Sequence, residues 1–348
     1  MKTQIVRAAL AMCLAVTFAG QAHAQTYPRC LYTTCVYIFY QSGTGIFLSY
    51  GDIDNDYYDW QENVNAHIKV TNDGIDTAVF TENDRSFLML GAKMGSPTVV
   101  QTQVMTTLGD FGNNVQWNEE QALSPFSGNR PFGLKTRGDG LLMASVMDDN
   151  KHLYTYQYEC PLGGECHWKS LLDPIQVTNS RGQMLAQLTY TDPSNYFLAG
   201  VLKKSSEKGV KFRLVTGGTM DPYKKNWSIK TGRGASMAYF LGENEWVGIS
   251  YTNNSGKAIV RTASHLAADS NLWRSSTTVA NSVEGYPVMT EYKDKFVLLA
   301  LTDGTNIYLY KGELNGSYEF DATLLKTLTP NTPPEYLSVA VYDYTELQ

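Results

Sequence analysis

The stretch Gly51-Asp52-Ile53-Asp54-Asn55-Asp56-Tyr57-Tyr58-Asp59-Trp60 is a polar turn that runs into a tryptophan, and the chain repeats this arrangement. The aromatic residues that end the successive turns are Trp60, Trp117, Trp168, Trp227, Trp273 and Phe320. The steps between them are 57, 51, 59, 46 and 47 residues. A period of this size is typical of β-propellers and similar arrays, in which each repeat forms one small sheet.

Each repeat also contains a continuous apolar run, as in Leu141-Leu142-Met143-Ala144-Ser145-Val146 and Phe296-Val297-Leu298-Leu299-Ala300-Leu301. Such runs are expected of strands that are covered on both faces. A first strand precedes the run, an alternating third strand follows it, and the aromatic residue begins the fourth strand. The pattern predicts an all-β fold, namely a six-bladed β-propeller of four-stranded blades.

The two ends of the chain complement each other in this pattern. The first repeat leaves little room for a first strand, whereas the C-terminal segment Tyr336-Leu337-Ser338-Val339-Ala340-Val341-Tyr342 reads as a strand with no repeat of its own. We therefore expect the C-terminal strand to join the first blade and close the ring, which leaves no open sheet edge between the ends.

The recurring aromatic residue has two interpretations, which are packing between neighbouring blades and stacking against a sugar. Packing is favoured, because a large side chain at the same place in every repeat usually builds the core that the repeats share.

The N-terminus has the features of a secretory signal peptide. Lys2 and Arg7 precede the apolar stretch from Ala8 to Gly20, and Ala22-His23-Ala24 fits a cleavage site. The sequence thus predicts a signal peptide at 1–24 and a single propeller domain at 25–348. The predicted location is secreted or extracellular, or periplasmic in a Gram-negative bacterium.

Charge and composition limit the partners. The net charge of −6 at pH 7 and the absence of Lys/Arg runs disfavour nucleic acid. No stretch after the signal peptide is apolar over the length of a membrane span. The histidines show no metal-ligand spacing and no nucleotide-binding fingerprint is present, so we expect neither a metal nor a cofactor.

Four cysteines remain after Cys13 is removed with the signal peptide, and they permit three disulfide connectivities. Cys30 lies close to Cys35 in sequence, and Cys160 lies close to Cys166. Two local disulfides are favoured because each pair flanks a plausible turn. A zinc site that includes His167 is the alternative, but its spacing does not fit zinc.

The blade pattern resembles the sialidase and trans-sialidase superfamily of six-bladed propellers. The resemblance is carried by the stretch from Phe132 to Leu142 and on to Trp168, and by the stretch from Glu284 to Met289 and on to Phe320. The polar turns are similar in position to the Asp-box of that family.

Charged residues precede or begin the predicted first strands and are the candidates for a site in the axial funnel. Three of them are arginines in consecutive blades, namely Arg130, Arg181 and Arg233. Because the planar guanidinium group suits bidentate capture of a carboxylate, these arginines predict binding of an anionic sugar. The resemblance implies that this sugar is sialic-acid-like.

The resemblance implies catalytic roles for other residues at these positions. Tyr286 takes the place of the nucleophile with Glu284 as its partner, and Asp73 or Asp76 takes the place of the acid/base. Residues two apart on an extended strand point to the same side, which permits a Glu284–Tyr286 contact. The alternative is that all of these are ordinary charged loop residues.

Three functions remain open from the sequence. The first is recognition of an anionic glycan or glycoconjugate, and the second is sialidase-type glycoside hydrolysis. The third is a scaffold without a small-molecule site that contacts a cell-surface protein. An enzyme concentrates ionisable groups at one axial site, whereas a lectin repeats a pocket between blades.

Overall fold

The structure is a computed structural model, and it describes residues 34–54, 60–71, 74–82, 85–95, 99–105, 117–118, 121–123, 132–136, 142–148, 150, 152–161, 165–171, 173–176, 190–192, 195–203, 209–216, 219–220, 235–240, 246–264, 273–293 and 295–343. All elements formed by these residues are β-strands, and they pair in antiparallel sheets.

The strands follow one another through the sheets in chain order, apart from the C-terminal strand. Sheet 1 contains β25 (Tyr336–Asp343), β1 (Thr34–Ser42), β2 (Gly45–Asp52) and β3 (Gln61–Lys69). Sheet 2 contains β4 (Ile75–Glu82), β5 (Arg85–Met94), β6 (Val99–Val104) and β7 (Gln121–Leu123). Sheet 3 contains β8 (Phe132–Thr136), β9 (Leu142–Met147), β10 (His152–Glu159), β11 (His167–Ser170) and β12 (Ile175–Gln176).

The second half of the chain forms the remaining sheets. Sheet 4 contains β13 (Tyr190–Asp192), β14 (Asn195–Lys203), β15 (Gly209–Thr216) and β16 (Thr219–Met220). Sheet 5 contains β17 (Ala235–Tyr239), β18 (Trp246–Thr252), β19 (Ala258–Ser264) and β20 (Thr277–Ala280). Sheet 6 contains β21 (Glu284–Tyr292), β22 (Phe296–Thr302), β23 (Ile307–Leu314) and β24 (Phe320–Leu328).

The strand count differs from the prediction of six four-stranded blades. Among the described residues, five sheets have four strands and sheet 3 has five. β11 and β12 both pair with β10, at Tyr156–Glu159 and at His152–Leu153 respectively, so they lie one after the other along the same neighbour. Pro174 lies between them and has no N–H to donate to β10, which accounts for a break in the outer edge of this sheet.

The C-terminal strand completes sheet 1, as the sequence predicts. β25 pairs with β1 from Thr34–Asp343 to Gln41–Tyr336, so residues from both ends of the described chain share one sheet. The end strands β17, β21, β25, β4 and β8 pack side by side in that order and line the axis of the propeller.

The apolar runs lie in the second strands, and the residues whose burial is described are mostly buried, as expected of strands covered on both faces. In β1 the side chains from Val36 to Tyr40 have no solvent exposure, and in β22 the same is true from Val297 to Ala300. The core is divided into apolar clusters between neighbouring sheets, at the contacts between sheets 1 and 2, 2 and 3, 6 and 1, and 5 and 6.

Four of the recurring aromatic residues contact the preceding sheet, which agrees with packing between blades. The indole N–H of Trp117 donates to the carbonyl oxygen of Ala66 at 2.8 Å, and that of Trp168 donates to Thr102 Oγ1 at 2.9 Å. Phe320 lies 6.3 Å from Phe240, measured between ring centroids. Trp60 packs against the cluster between sheets 6 and 1, and Trp227 lies outside the described residues.

Glycine makes room for two of these rings. A Cβ on Gly51 would lie 2.5 Å from the ring of Trp60, and a Cβ on Gly312 would lie 2.2 Å from the ring of Phe320. Both distances are shorter than any van der Waals contact, so only a residue without a side chain fits at either position.

Gly312→Ala is expected to destabilise the protein by about 1–3 kcal/mol, because the buried Phe320 ring has to shift against sheet 5. Chemical denaturation measures the free energy of unfolding. Gly316→Ala is the matched control, because a Cβ at Gly316 meets nothing within 4 Å. Equal stability of the two variants would contradict the packing described for Phe320.

One predicted disulfide is confirmed, and it joins Cys160 to Cys166. Cys35 is also disulfide-bonded and has no solvent exposure. Its predicted partner Cys30 lies outside the described residues, as does the predicted signal peptide at 1–24, so the Cys30–Cys35 pairing, the cleavage and the secretion remain predictions. No helix in the described part of the chain has the length and apolar character of a membrane span.

Candidate functional sites

Asp76, predicted as an acid/base, lies near the start of β4 and connects three inner strands. Its Oδ2 accepts a hydrogen bond from the backbone N–H of Leu134 in β8, at 2.8 Å. Its Oδ1 accepts from the N–H of Thr77 at 2.9 Å and from the hydroxyl of Ser338 in β25 at 3.0 Å. The carboxylate therefore joins sheets 1, 2 and 3 at the axis.

The surroundings of this carboxylate change its ionisation. Although Asp76 as a residue retains some exposure, its carboxyl group is enclosed, and this burial raises its pKa to about 6. The hydrogen bonds from Leu134, Ser338 and Thr77 and the charge of Lys135 lower the pKa but do not compensate for burial. Because the carboxyl group of Asp76 is enclosed, a ligand has little access to its remaining lone pair.

Asp76 makes a pH-dependent contribution to stability. Its pKa of about 6 in the folded protein lies above the value of about 3.9 for an unfolded chain, so folding binds a proton between these values. The contribution is complete below about pH 4 and is lost as the pH rises through 6, by roughly 2–3 kcal/mol.

We expect Asp76→Asn to remove this dependence. The difference in unfolding free energy between the wild type and the variant, measured by denaturation from pH 4.5 to 7.5, falls as the pH rises. Asp321→Asn, on the exposed face of β24, controls for the loss of one carboxylate. Parallel pH curves for wild type and Asp76→Asn would show that Asp76 is not perturbed by burial.

Tyr286, which is predicted as the nucleophile, is on β21 and lies near Asp76 of β4. Burial raises the pKa of Tyr286 above that of a free tyrosine, and the charge of Asp76 and the neighbouring Tyr336 raise it further. A nucleophilic tyrosine requires the opposite shift, because the phenolate is the reactive form.

Glu284 and Tyr286 do not have the extended geometry from which their contact was predicted. Gly285 between them has φ +69°, and the register of β21 against β22 shifts between Glu284 and Val288. Glu284 is exposed and its side chain lies beside Gly304 in the turn between β22 and β23. The alternation rule for strands therefore does not apply to this pair.

A second set of polar contacts connects inner strands across the axis. The ammonium group of Lys135 in β8 forms an ion pair with Glu291 in β21, and both side chains are largely buried. Glu291 Oε1 also accepts from the N–H of Tyr239 in β17, at 2.9 Å. Sheets 3, 5 and 6 are thus connected across the axis by one buried carboxylate.

The other predicted site residues lie outside the described residues. These are Asp73, Arg130, Arg181 and Arg233, and their roles remain predictions. Within the part of the chain that the structure describes, no three His, Cys, Asp or Glu side chains come together as a metal site.

Two turns between second and third strands contain a pair that the sequence interpretation missed. In sheet 6, the hydroxyl of Tyr308 donates to Asp303 Oδ2 at 2.8 Å, while Oδ1 accepts from the N–H groups of Thr305 and Asn306. In sheet 3, the hydroxyl of Tyr154 donates to Asp148 Oδ2 at 3.3 Å. We call these the carboxylate–tyrosine turns.

The two turns share their position, their electrostatics and their packing. Asp148 and Asp303 each come two residues after an apolar run. Burial opposes the ionisation of each carboxyl group, but hydrogen bonds outweigh it and lower both pKa values. The rings of Tyr154 and Tyr308 are partly exposed and rest against the clusters between sheets 2 and 3 and between sheets 5 and 6. An aspartate two residues after an apolar run is the sequence signal that could have revealed both turns.

The two carboxylate–tyrosine turns differ in the solvent exposure of their aspartates. Asp303 is exposed, whereas Asp148 is largely shielded and has His152 Nδ1 at 3.2 Å from its Oδ2. In sheet 6 the neighbouring Asn306 accepts from the hydroxyl of Thr329 at 3.2 Å, which connects the turn to the segment that leads to β25.

The fold is similar to that of solved propeller lectins. The Aleuria aurantia lectin, described as a six-bladed β-propeller with a novel mode of fucose recognition, aligns with a TM-score of 0.57 at 7% identity over 87% of this chain and 93% of that one. SapL1 lectin in complex with α-methyl fucoside aligns with 0.56 at 9% identity over 85% and 93%. AofleA from Arthrobotrys oligospora aligns with 0.52 at 12% identity over 89% and 90%.

These similarities define the class of fold, which is an all-β propeller of small antiparallel sheets. No protein-family profile and no curated protein sequence matches the chain. The resemblance to sialidases is wrong, since the structures that match the fold include fucose-binding lectin propellers. The polar turns that suggested an Asp-box are connections between third and fourth strands, which any propeller of four-stranded blades needs.

Proposed function

We propose that this protein is a carbohydrate-binding propeller that recognises a neutral saccharide at its carboxylate–tyrosine turns. The observation that carries the proposal is the occurrence of the same pair in sheets 3 and 6. A site repeated between blades is the arrangement that favours a lectin over an enzyme with one axial site.

The chemistry of the turns suits sugar hydroxyls. Asp303 Oδ2 accepts one hydrogen bond from Tyr308 and has a further lone pair for a hydroxyl donor from a ligand. The hydroxyl and ring of Tyr308 are held in place by this bond. A partly exposed ring next to a fixed acceptor offers both an apolar surface for the C–H face of a sugar and a polar partner for its hydroxyl groups.

The charge of the turns favours a neutral ligand. Both contain an ionised carboxylate, which repels an anionic sugar at close range. The SapL1 lectin, which shares the fold, was solved with α-methyl fucoside, a neutral sugar derivative, and this supports the same ligand class here.

An axial site for an anionic sugar has less support. The polar groups described at the axis are bonded to one another, as Asp76 is to β8 and β25 and Glu291 is to Lys135. Hydrolysis of the sialidase type loses its basis with the resemblance, and the raised pKa of Tyr286 disfavours it further. The scaffold hypothesis and its cell-surface partner rest on no observed feature.

The test is calorimetric titration with the neutral methyl glycoside that binds best on a glycan array. Asp303→Asn and Asp148→Asn each remove the charged acceptor of one turn, and each is expected to lower the stoichiometry by one site. The double variant loses both. Tyr308→Phe, which removes only the hydroxyl, is expected to weaken its site about tenfold.

Tyr310→Phe is the matched control, because Tyr310 lies two residues along the same strand and outside the carboxylate pair. It should bind as the wild type does. Unchanged stoichiometry in the Asp148→Asn/Asp303→Asn double variant would contradict the assignment of the turns.

A further inference from the structure

Tyr318 combines exposure with an unusual backbone conformation. It lies in the turn between β23 and β24, its exposed fraction is 39%, and its φ is +58°. A bulky side chain rarely adopts this left-handed region, and the strain amounts to roughly 1–3 kcal/mol. Such strain persists where surrounding contacts enforce it, and ligand-binding positions are among the places where it is found.

Contacts within the turn and with sheet 5 hold Tyr318 in place. Its N–H donates to the carbonyl oxygen of Asn315 at 2.8 Å. Its own carbonyl oxygen accepts from the hydroxyl of Thr262 in β19 at 2.5 Å. The turn is therefore fixed on both sides of the contact between sheets 5 and 6.

The ring of Tyr318 is supported by a second aromatic ring. It stacks on Trp246 with 4.4 Å between ring centroids and an angle of 4° between the planes. The guanidinium group of Arg274 lies over the same indole, 5.4 Å from its centroid. Stacking on one face leaves Tyr318 as a flat, rigid surface that faces solvent.

The surroundings of this ring are polar. Arg274, Ser275 and Ser276 are exposed and run beside the turn, since the N–H of Arg274 donates to Thr262 and the hydroxyl of Thr277 donates to the carbonyl oxygen of Phe320. Ser317 in the turn is also exposed. An exposed aromatic ring in a turn with exposed serines nearby, stacked on an indole that also contacts a guanidinium group, offers an apolar face and polar partners to a pyranose.

From this geometry we infer that Tyr318 is the stacking platform of a further saccharide-binding site between sheets 5 and 6. This inference rests on the proposed carbohydrate function but uses a different surface. The eight residues of β23 separate the platform from the carboxylate–tyrosine turn of sheet 6 by about 25 Å. One sheet therefore presents saccharide sites at both ends, and one molecule can bridge two glycan chains.

The test uses the same neutral methyl glycoside in the Asp148→Asn/Asp303→Asn background, where the carboxylate–tyrosine turns are inactive. Binding that remains in this background is expected to quench tryptophan fluorescence, because Trp246 lies directly under the platform. Adding Tyr318→Asn removes the ring while tolerating the left-handed backbone, and it should abolish both the quench and one site. Tyr318→Phe keeps the ring and should retain both.

Leu324→Asn, another exposed apolar side chain of sheet 6, is the control for general surface effects. Circular dichroism confirms that each variant is folded. Full binding by Tyr318→Asn, together with loss of sites in the carboxylate variants, overturns the platform and leaves the proposed function intact. If only Tyr318→Asn loses saccharide binding, the assignment of the carboxylate–tyrosine turns is wrong and the Tyr318 platform stands. If the wild type binds no saccharide, both proposals are wrong.

Discussion

The pairing of β25 with β1 is the constraint on which the rest of the structure depends. It places residues from the two ends of the described chain in one sheet, so that sheet 1 can pack against both sheet 2 and sheet 6. Without β25, Leu337 and Val339 would leave the core between sheets 6 and 1, and Asp76 would lose the hydroxyl of Ser338. Closure of the sheet and cohesion at the axis are thus produced by the same strand.

Polar groups at the axis and aromatic groups at the periphery hold the sheets together in different ways. Asp76 and Glu291 connect inner strands of different sheets through buried, hydrogen-bonded carboxylates. Trp117 and Trp168 connect outer strands to the preceding sheet through indole hydrogen bonds and apolar contact. These carboxylates and indoles are already bonded within the protein. Ligands therefore have access mainly at the exposed turns at the two ends of the sheets.

Much of the fold follows from the sequence, and less of the site does. Strand order, the burial of the apolar runs and the role of β25 are encoded locally, in a period of aromatic turns and in continuous apolar segments. The break between β11 and β12 depends on Pro174, a single residue that leaves the period of the repeats unchanged. The sequence offers Asp73 or Asp76 as an acid/base, but the structural role of Asp76 depends on Leu134 and Ser338, which are 58 and 262 residues away. Such partners cannot be predicted from periodicity alone.

The most direct measurement is a crystal structure of the protein with the neutral saccharide that binds best. The account predicts sugar density beside Asp303 and Tyr308 and at the matching turn of Asp148 and Tyr154, with a sugar hydroxyl within hydrogen-bond distance of each carboxylate. Density confined to the axis, beside Asp76 and Tyr286, would contradict it.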